Sequence, residues 1–226
     1  MKITFFGHAS VQVQINGAYL VFDPFITPNE KAAHIDVDAI KADYVLLSHG
    51  HADHVADVER IAKNNSATIV SSFEAATWFG NKGYPNHPMN HGGKKQFVFG
   101  TVKFVHATHS SVLPDGTYGG NPGGFVVWGA GQCFYFAGDT GLMMDMKLIP
   151  LTCPKLDVAI LPIGDNFTMG YEDAALAAEF IGCNTVIGIH YDTFDMIKID
   201  HDAAKKAFEQ RGKKLILPAL GQTIEL

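Results

Sequence analysis

The 226-residue chain has only three cysteines, no excess of positive charge, no long apolar run and no low-complexity tract. Cys133, Cys153 and Cys183 are odd in number, far apart and in no CxxC pair. That argues against a disulfide framework or a structural zinc knuckle and fits a reducing compartment. The formal net charge is −6, so no broad basic surface awaits nucleic acid or an anionic membrane. No segment approaches the roughly 18 apolar residues of a membrane span. The start, "MKITFFGHAS", is interrupted by Gly7 and His8, too early for an export signal. A cytoplasmic protein acting on a small molecule, with no membrane partner and nucleic acid disfavoured, is the expectation. No linker, charge block or repeat divides the chain, so residues 1–226 are read as one domain.

What the chain does have is 47% hydrophobic residues and 23 glycines, enough for a large core with many turns. The opening predicts strands at "KITFF", "VQVQI" and "AYLVF", the last two flanking an Asn16-Gly17 hairpin turn. "DYVLL" and "TIVSS" read as short buried strands with a helix near 55–63 between them. "SFEAATWFGNKG" predicts a helix capped by Ser72 and stopped near Gly83. Strands follow at "QFVFG" and "VKFVHAT". A loop rich in glycine and proline spans 110–124, and "GFVVW" and "CFYFAG" bracket a Gly-Ala-Gly turn. Thereafter "LDVAILP", "TVIGIH" and "KLILPALGQTIEL" predict strands, alternating with helices at "YEDAALAAEFIG" and "HDAAKKAFEQRG". A β-rich centre covered by outer helices, an α/β (α+β) arrangement, satisfies this order.

The chemistry is concentrated in "VLLSHGHADHV", where His49, His51, Asp53 and His54 fall within six positions. Histidines at i and i+2 of a strand end point the same way, which places two imidazoles on one metal. Asp53 and His54 begin the next helix and point elsewhere. Four adjacent donors cannot readily wrap one ion, and two neighbouring ions relieve that constraint. The alternative is a helix cap at Asp53 with solvated histidines. Three histidines in six residues after a buried strand argue against it.

"HGHADH" between a strand and a helix resembles the HxHxDH signature of the metallo-β-lactamase superfamily. "VKFVHATHSS", "CFYFAGDTG" and "VIGIHYDTF" supply the later histidine, aspartate and histidine of that pattern in the right order. The resemblance spans nearly the whole chain and implies a four-layer αββα sandwich with the site at the edge between two sheets. It implies His49, His51 and His109 on one divalent ion, Asp53, His54 and His190 on another, and Asp139 bridging. His109 is preferred to His106 because it lies where strand gives way to loop. Oxygen and nitrogen donors suit zinc foremost, with manganese or iron as alternatives.

Aspartate rather than cysteine at 139 departs from the β-lactamases themselves. Histidine at 51 departs from the diiron flavoproteins, and no appended domain matches the glyoxalase-type thioesterases or large nucleases. "FFGHAS", "VFDPF", "MNHGG" and "PIGDNFTMG" are similar to a compact branch of metal-dependent hydrolases resembling L-ascorbate phosphate lactonase. His8 and Asp23 are candidates to contact the ligands or the substrate. Asp165 and Asn166 are candidates to reach the pocket, and loop 110–124 is a candidate lid or rim.

The reading is a hydrolase with a dinuclear centre and a shared hydroxide, Asp53 orienting it or taking its proton. Its expected substrate is a small lactone or phosphorylated ester. A phosphodiesterase acting on nucleotides or short nucleic acid is the rival reaction. A non-catalytic metal-binding or sensing protein is the rival of another kind. A homo-oligomer is a family-level expectation only.

Overall fold

The computed structural model describes residues 1–226, and alternation along its strands explains the layering. Strands β1 (Lys2–Gly7), β2 (Ser10–Ile15), β3 (Ala18–Phe22), β4 (Tyr44–Leu46), β5 (Thr68–Ser72) and β6 (Asn86–Met89) lie in the first sheet. Strands β7 (Lys94–Phe97), β8 (Gly100–His106), β9 (Gly123–Gly129), β10 (Gln132–Phe136), β11 (Val158–Pro162), β12 (Thr185–Ile189) and β13 (Lys214–Ile216) make the second. The last strand, β14 (Thr223–Glu225), returns to the first sheet beside β1. Each sheet has seven strands and mixes antiparallel hairpins with parallel crossovers.

Because successive side chains face opposite ways, each strand feeds two cores. Phe22, Phe104, Phe134, Phe136 and Ile160 meet between the sheets. Val21, Val45 and Ile69 face outward under the helices α2 (Val58–Asn65) and α3 (Phe73–Asn81). On the far side, Tyr135, Ala159 and Leu161 face a layer that includes α4 (Ile149–Thr152), α5 (Tyr171–Phe180) and α6 (His201–Glu209). Two mixed sheets flanked by helices make the expected αββα sandwich. No helix is long and apolar enough to cross a membrane.

Local chemistry accounts for the turns. Asn16 and Gly17 take φ of 47° and 80°, the paired left-handed geometry of a tight hairpin joining β2 to β3. Ser72 Oγ accepts from Ala75 N at 3.3 Å, capping α3 as expected. The structure corrects three expectations. The helix near 55–63 is two pieces, α1 (Ala52–Val55) and α2. Asn86–Met89 is a strand although "NHPM" has no β-branched residue, because β5 offers it a parallel partner. The closing segment is two strands in different sheets, separated by Pro218 and a turn at Gly221.

Candidate metal centre

The cluster forms where β4, β8, β10 and β12 run out at one end of the sandwich. β4 leads through Ser48 into His49 and His51, and α1 begins at once, carrying Asp53 and His54. His109 follows β8, Asp139 follows β10 and His190 follows β12. Three loops thus deliver single donors to the four supplied by one segment.

These donors form two groups. His49, His51 and His109 bring ring nitrogens within 4.8 Å of one another. Asp53, His54 and His190 make a second such group, joined by His8. Asp139 stands between them. Its Oδ2 is 3.0 Å from His190 Nε2, 3.2 Å from His54 Nε2 and 3.6 Å from His109 Nε2. Within the first group, His49 Nε2 is 2.9 Å from His51 Nδ1. His106 is not among them; its Nδ1 lies 3.6 Å from Asp145 Oδ2.

Asp23, at 0% exposure, supports the cluster from beneath. It accepts from Ser48 N at 2.8 Å, from Ser48 Oγ at 2.5 Å, and from His54 Nδ1 at 2.8 Å. Donation from Nδ1 leaves His54 Nε2 as the free donor atom facing Asp139, the arrangement that fixes a ligating imidazole's tautomer. Ser48 Oγ also lies 2.9 Å from His49 Nδ1, so one serine links both groups. His8 is buried, with Nε2 3.2 Å from Asp53 Oδ2 and Nδ1 3.0 Å from Thr193 Oγ1. Ser48 and Thr193 escape sequence reasoning. Only the position of Ser48 beside His49 offered a signal.

The backbone is bent to reach these positions. His8, Asp23 and His190 adopt left-handed φ of 53°, 41° and 55°. Gly138 (φ 63°) precedes Asp139, and a Cβ there would collide with the Ser48 side chain. Asp165 and Asn166 are exposed in the turn between β11 and α5, where Asp165 Oδ1 accepts Asn166 N at 2.8 Å. Asp165 is not among the clustered donors. The turn abuts the cluster, since Met169 N donates to Thr140 O at 3.0 Å.

Loop 110–124 is braced as a rim. Gly50 N donates to Ser111 Oγ at 3.1 Å, Ser110 Oγ is 3.3 Å from His51 Nε2, and Trp78 Nε1 donates to Asp115 at 2.7 Å. Leu113 is the loop's own buried side chain.

The electrostatics call for a cation. Burial pushes His49 well below the usual imidazole range, and the neighbouring His54 deepens the effect. Burial also lowers His54, but Asp139 and Asp23 overcome it and raise this ring well above its usual value. In the metal-free chain His54 therefore carries the positive charge that the carboxylates demand. Burial raises Asp139, yet His190 and His54 hold it far below the usual carboxylate range. Asp53 likewise stays ionised, because the His8 hydrogen bond and the charge of His54 outweigh its desolvation. His54 Nε2, Asp139 Oδ1 and His190 Nδ1 are buried without hydrogen-bond partners. Unsatisfied buried donor atoms of this kind are rare unless an ion or ligand takes them up. The residues fit a divalent metal of the nitrogen- and oxygen-preferring kind.

A model of the beta-lactamase superfamily domain matches residues 2–190. The chain is 57% identical to a metal-dependent hydrolase of Flavobacterium johnsoniae, over 100% of both chains. It is 43% identical to another from Bacillus subtilis, again over 100% of both. A metallo hydrolase from Ignicoccus hospitalis superposes with a TM-score of 0.89 at 32% identity, covering 99% of this chain and 97% of its own. Fold, cluster and relatives agree: the chain belongs to the metallo-β-lactamase superfamily and is a metal-dependent hydrolase.

Proposed function

We propose that the enzyme hydrolyses a small lactone or phosphorylated ester at a dinuclear centre. His49, His51 and His109 would hold one divalent cation, zinc foremost, and Asp53, His54 and His190 the other. The observation that carries this is Asp139 Oδ2, placed within 3.6 Å of imidazoles from both groups. Bound divalent cations supply Lewis acidity and lower the pKa of water to near 7.

The chain's own groups do the rest. Asp53, ionised at neutral pH and oriented by His8 Nε2–H, accepts the proton of the attacking water at Oδ2. That proton then passes to the leaving oxygen as the C–O or P–O bond breaks. His8 stays neutral, since burial lowers its pKa to about 4, and Thr193 fixes its ring. The braced loop 110–124 forms one wall of the mouth. The strongest charged influences on the cluster come from histidines and aspartates, with no lysine or arginine among them. That favours an uncharged acyl group over a phosphodiester, and a small molecule over nucleic acid.

The test is a panel of lactone, ester, thioester and bis-aryl phosphate substrates on protein loaded separately with zinc, manganese and iron. Turnover of the lactone or ester, lost by about 10²-fold or more in Asp53→Asn assayed at saturating metal, supports the reading. Fastest turnover of the bis-aryl phosphate would replace it with the phosphodiesterase reading. No turnover of any of them with two metals bound would refute the lactone and phosphorylated-ester reading.

A further inference from the structure

A separate concave site lies on the outer face of the second sheet. Lys103 of β8 and Tyr135 of β10 both pair with Val126 of β9, so the three form one row across the sheet. Alternation turns this row away from the inter-sheet core. Segment 143–152 crosses above it, and between them lies a cavity of about 260 Å³. The cavity shares no lining residue with the His–Asp cluster. At about 30 Å³ per water, it has room for a molecule of roughly eight to ten non-hydrogen atoms.

Its lining has two characters. Val105, Met143, Met146 and Ile149 make an apolar wall, and thioethers adapt to varied shapes. The polar side is rich in donors. Lys103 brings an ammonium group, held 2.8 Å from Thr152 Oγ1. Tyr135 is 0% exposed, and its hydroxyl has no hydrogen-bond partner in the folded chain. Leaving a buried hydroxyl unpaired costs free energy that an acceptor of suitable shape would recover. Asp145 also lines the cavity, its Oδ2 3.6 Å from His106 Nδ1, and His91 Nε2 lies 2.9 Å from Pro122 O. Lys103 and the Tyr135 hydroxyl are the donors that a bound acceptor would meet.

We propose that this cavity binds a small apolar carboxylate. Its chain lies against Val105, Met143, Met146 and Ile149, and its carboxylate is received by Lys103 and the Tyr135 hydroxyl. The site is independent of the hydrolytic centre and would bind an effector or a carboxylic acid product.

The full chain, carrying [¹³C-methyl]methionine, is titrated with hexanoate. The Met143 and Met146 methyl signals should move together and saturably, while those of Met1, Met89 and Met196 stay in place. Lys103→Met should weaken hexanoate about tenfold, as expected for one charged hydrogen bond. Tyr135→Phe should weaken it at least about threefold without lowering the thermal midpoint of the free protein, since the hydroxyl it removes is unpaired. Val105→Trp should fill the cavity and abolish the shift. Should that variant not fold, Lys103→Met and Tyr135→Phe decide alone. Hexan-1-ol binding as tightly as hexanoate would overturn the proposal. So would shifts that do not saturate, shifts confined to Met169 near the metal cluster, or hexanoate binding indifferent to Lys103→Met.

Discussion

Asp23→Asn isolates the support beneath the cluster. The carboxylate accepts three hydrogen bonds and donates none. An asparagine there keeps one acceptor oxygen and gains an NH₂. If its oxygen faces Ser48 N, the NH₂ meets the Nδ1–H of His54; if the amide flips, the NH₂ meets Ser48 N–H. Either orientation sets donor against donor at a site with no exposure. One charge-assisted bond is lost and one buried donor is stranded, together about 2–4 kcal/mol of stability. For a chain of this size that is roughly 5–15 °C in thermal midpoint. His54 also loses the partner that fixes its tautomer, so metal affinity should fall about 10–100-fold, or about 1.4–2.7 kcal/mol. Competition with a chromophoric chelator measures affinity, and calorimetry of the metal-free protein measures stability. Asp57→Asn is the control. Asp57 is equally enclosed, accepting from Ile26 N and Thr27 N at 2.7 and 2.8 Å, but stands outside the cluster. It should cost stability and leave metal affinity alone. Equal metal affinity in Asp23→Asn and the parent, or equal losses in both variants, would refute the tautomer argument.

Three further outcomes are expected. His109→Ala should lower bound metal by about half while His106→Ala leaves it unchanged, measured by atomic emission on dialysed protein; the opposite pattern exchanges their roles. In metal-free protein, His8 is neutral when folded with a pKa of about 4, whereas the unfolded imidazole takes a proton below about pH 6.5. Its contribution is therefore complete above pH 6.5 and lost on acidification towards pH 4, by up to about 3 kcal/mol. Urea midpoints of EDTA-treated protein should fall between pH 7 and 4.5, and less so in His8→Gln; parallel falls would deny His8 this part. Cys133 is buried and its thiol is pushed up to about 12 by burial, and Cys183 is raised likewise. Native protein at pH 8 should thus give about one fast thiol in a disulfide-exchange assay, that of the partly exposed Cys153. Two fast thiols, or loss of the fast one in a variant other than Cys153→Ser, would contradict this.

The parts of the fold legible in the sequence are those decided locally. Strands such as Val158–Pro162 carry continuous apolar runs, and Asn16-Gly17 states its own turn. What escaped depends on distant partners. Asn86–Met89 is a strand only because β5 lies alongside. The closing segment looks like one strand because nothing within it shows that Lys214–Ile216 pairs with β12 and Thr223–Glu225 with β1. The metal cluster divides the same way. The four donors of His49–His54 are visible as a motif. His8 and Asp23 are single polar residues beside turns, and only the packing reveals that each touches a member of the cluster. Asp165 and Asn166 show the converse: a suggestive sequence whose polar groups close their own turn.

The left-handed backbone at His8, Asp23 and His190 has a consequence for how this protein can change. A non-glycine residue in that conformation stores about 1–2 kcal/mol, which glycine would release at His190, whereas at Asp23 the loss of three buried hydrogen bonds would outweigh it. Random selection for thermal tolerance alone should therefore find His190 and disarm the enzyme in doing so. The residues that make the pocket are, backbone for backbone, among the least comfortable in the molecule. Retention of His190 in a functional homologue would mark selection on chemistry, since selection on folding pulls the other way there.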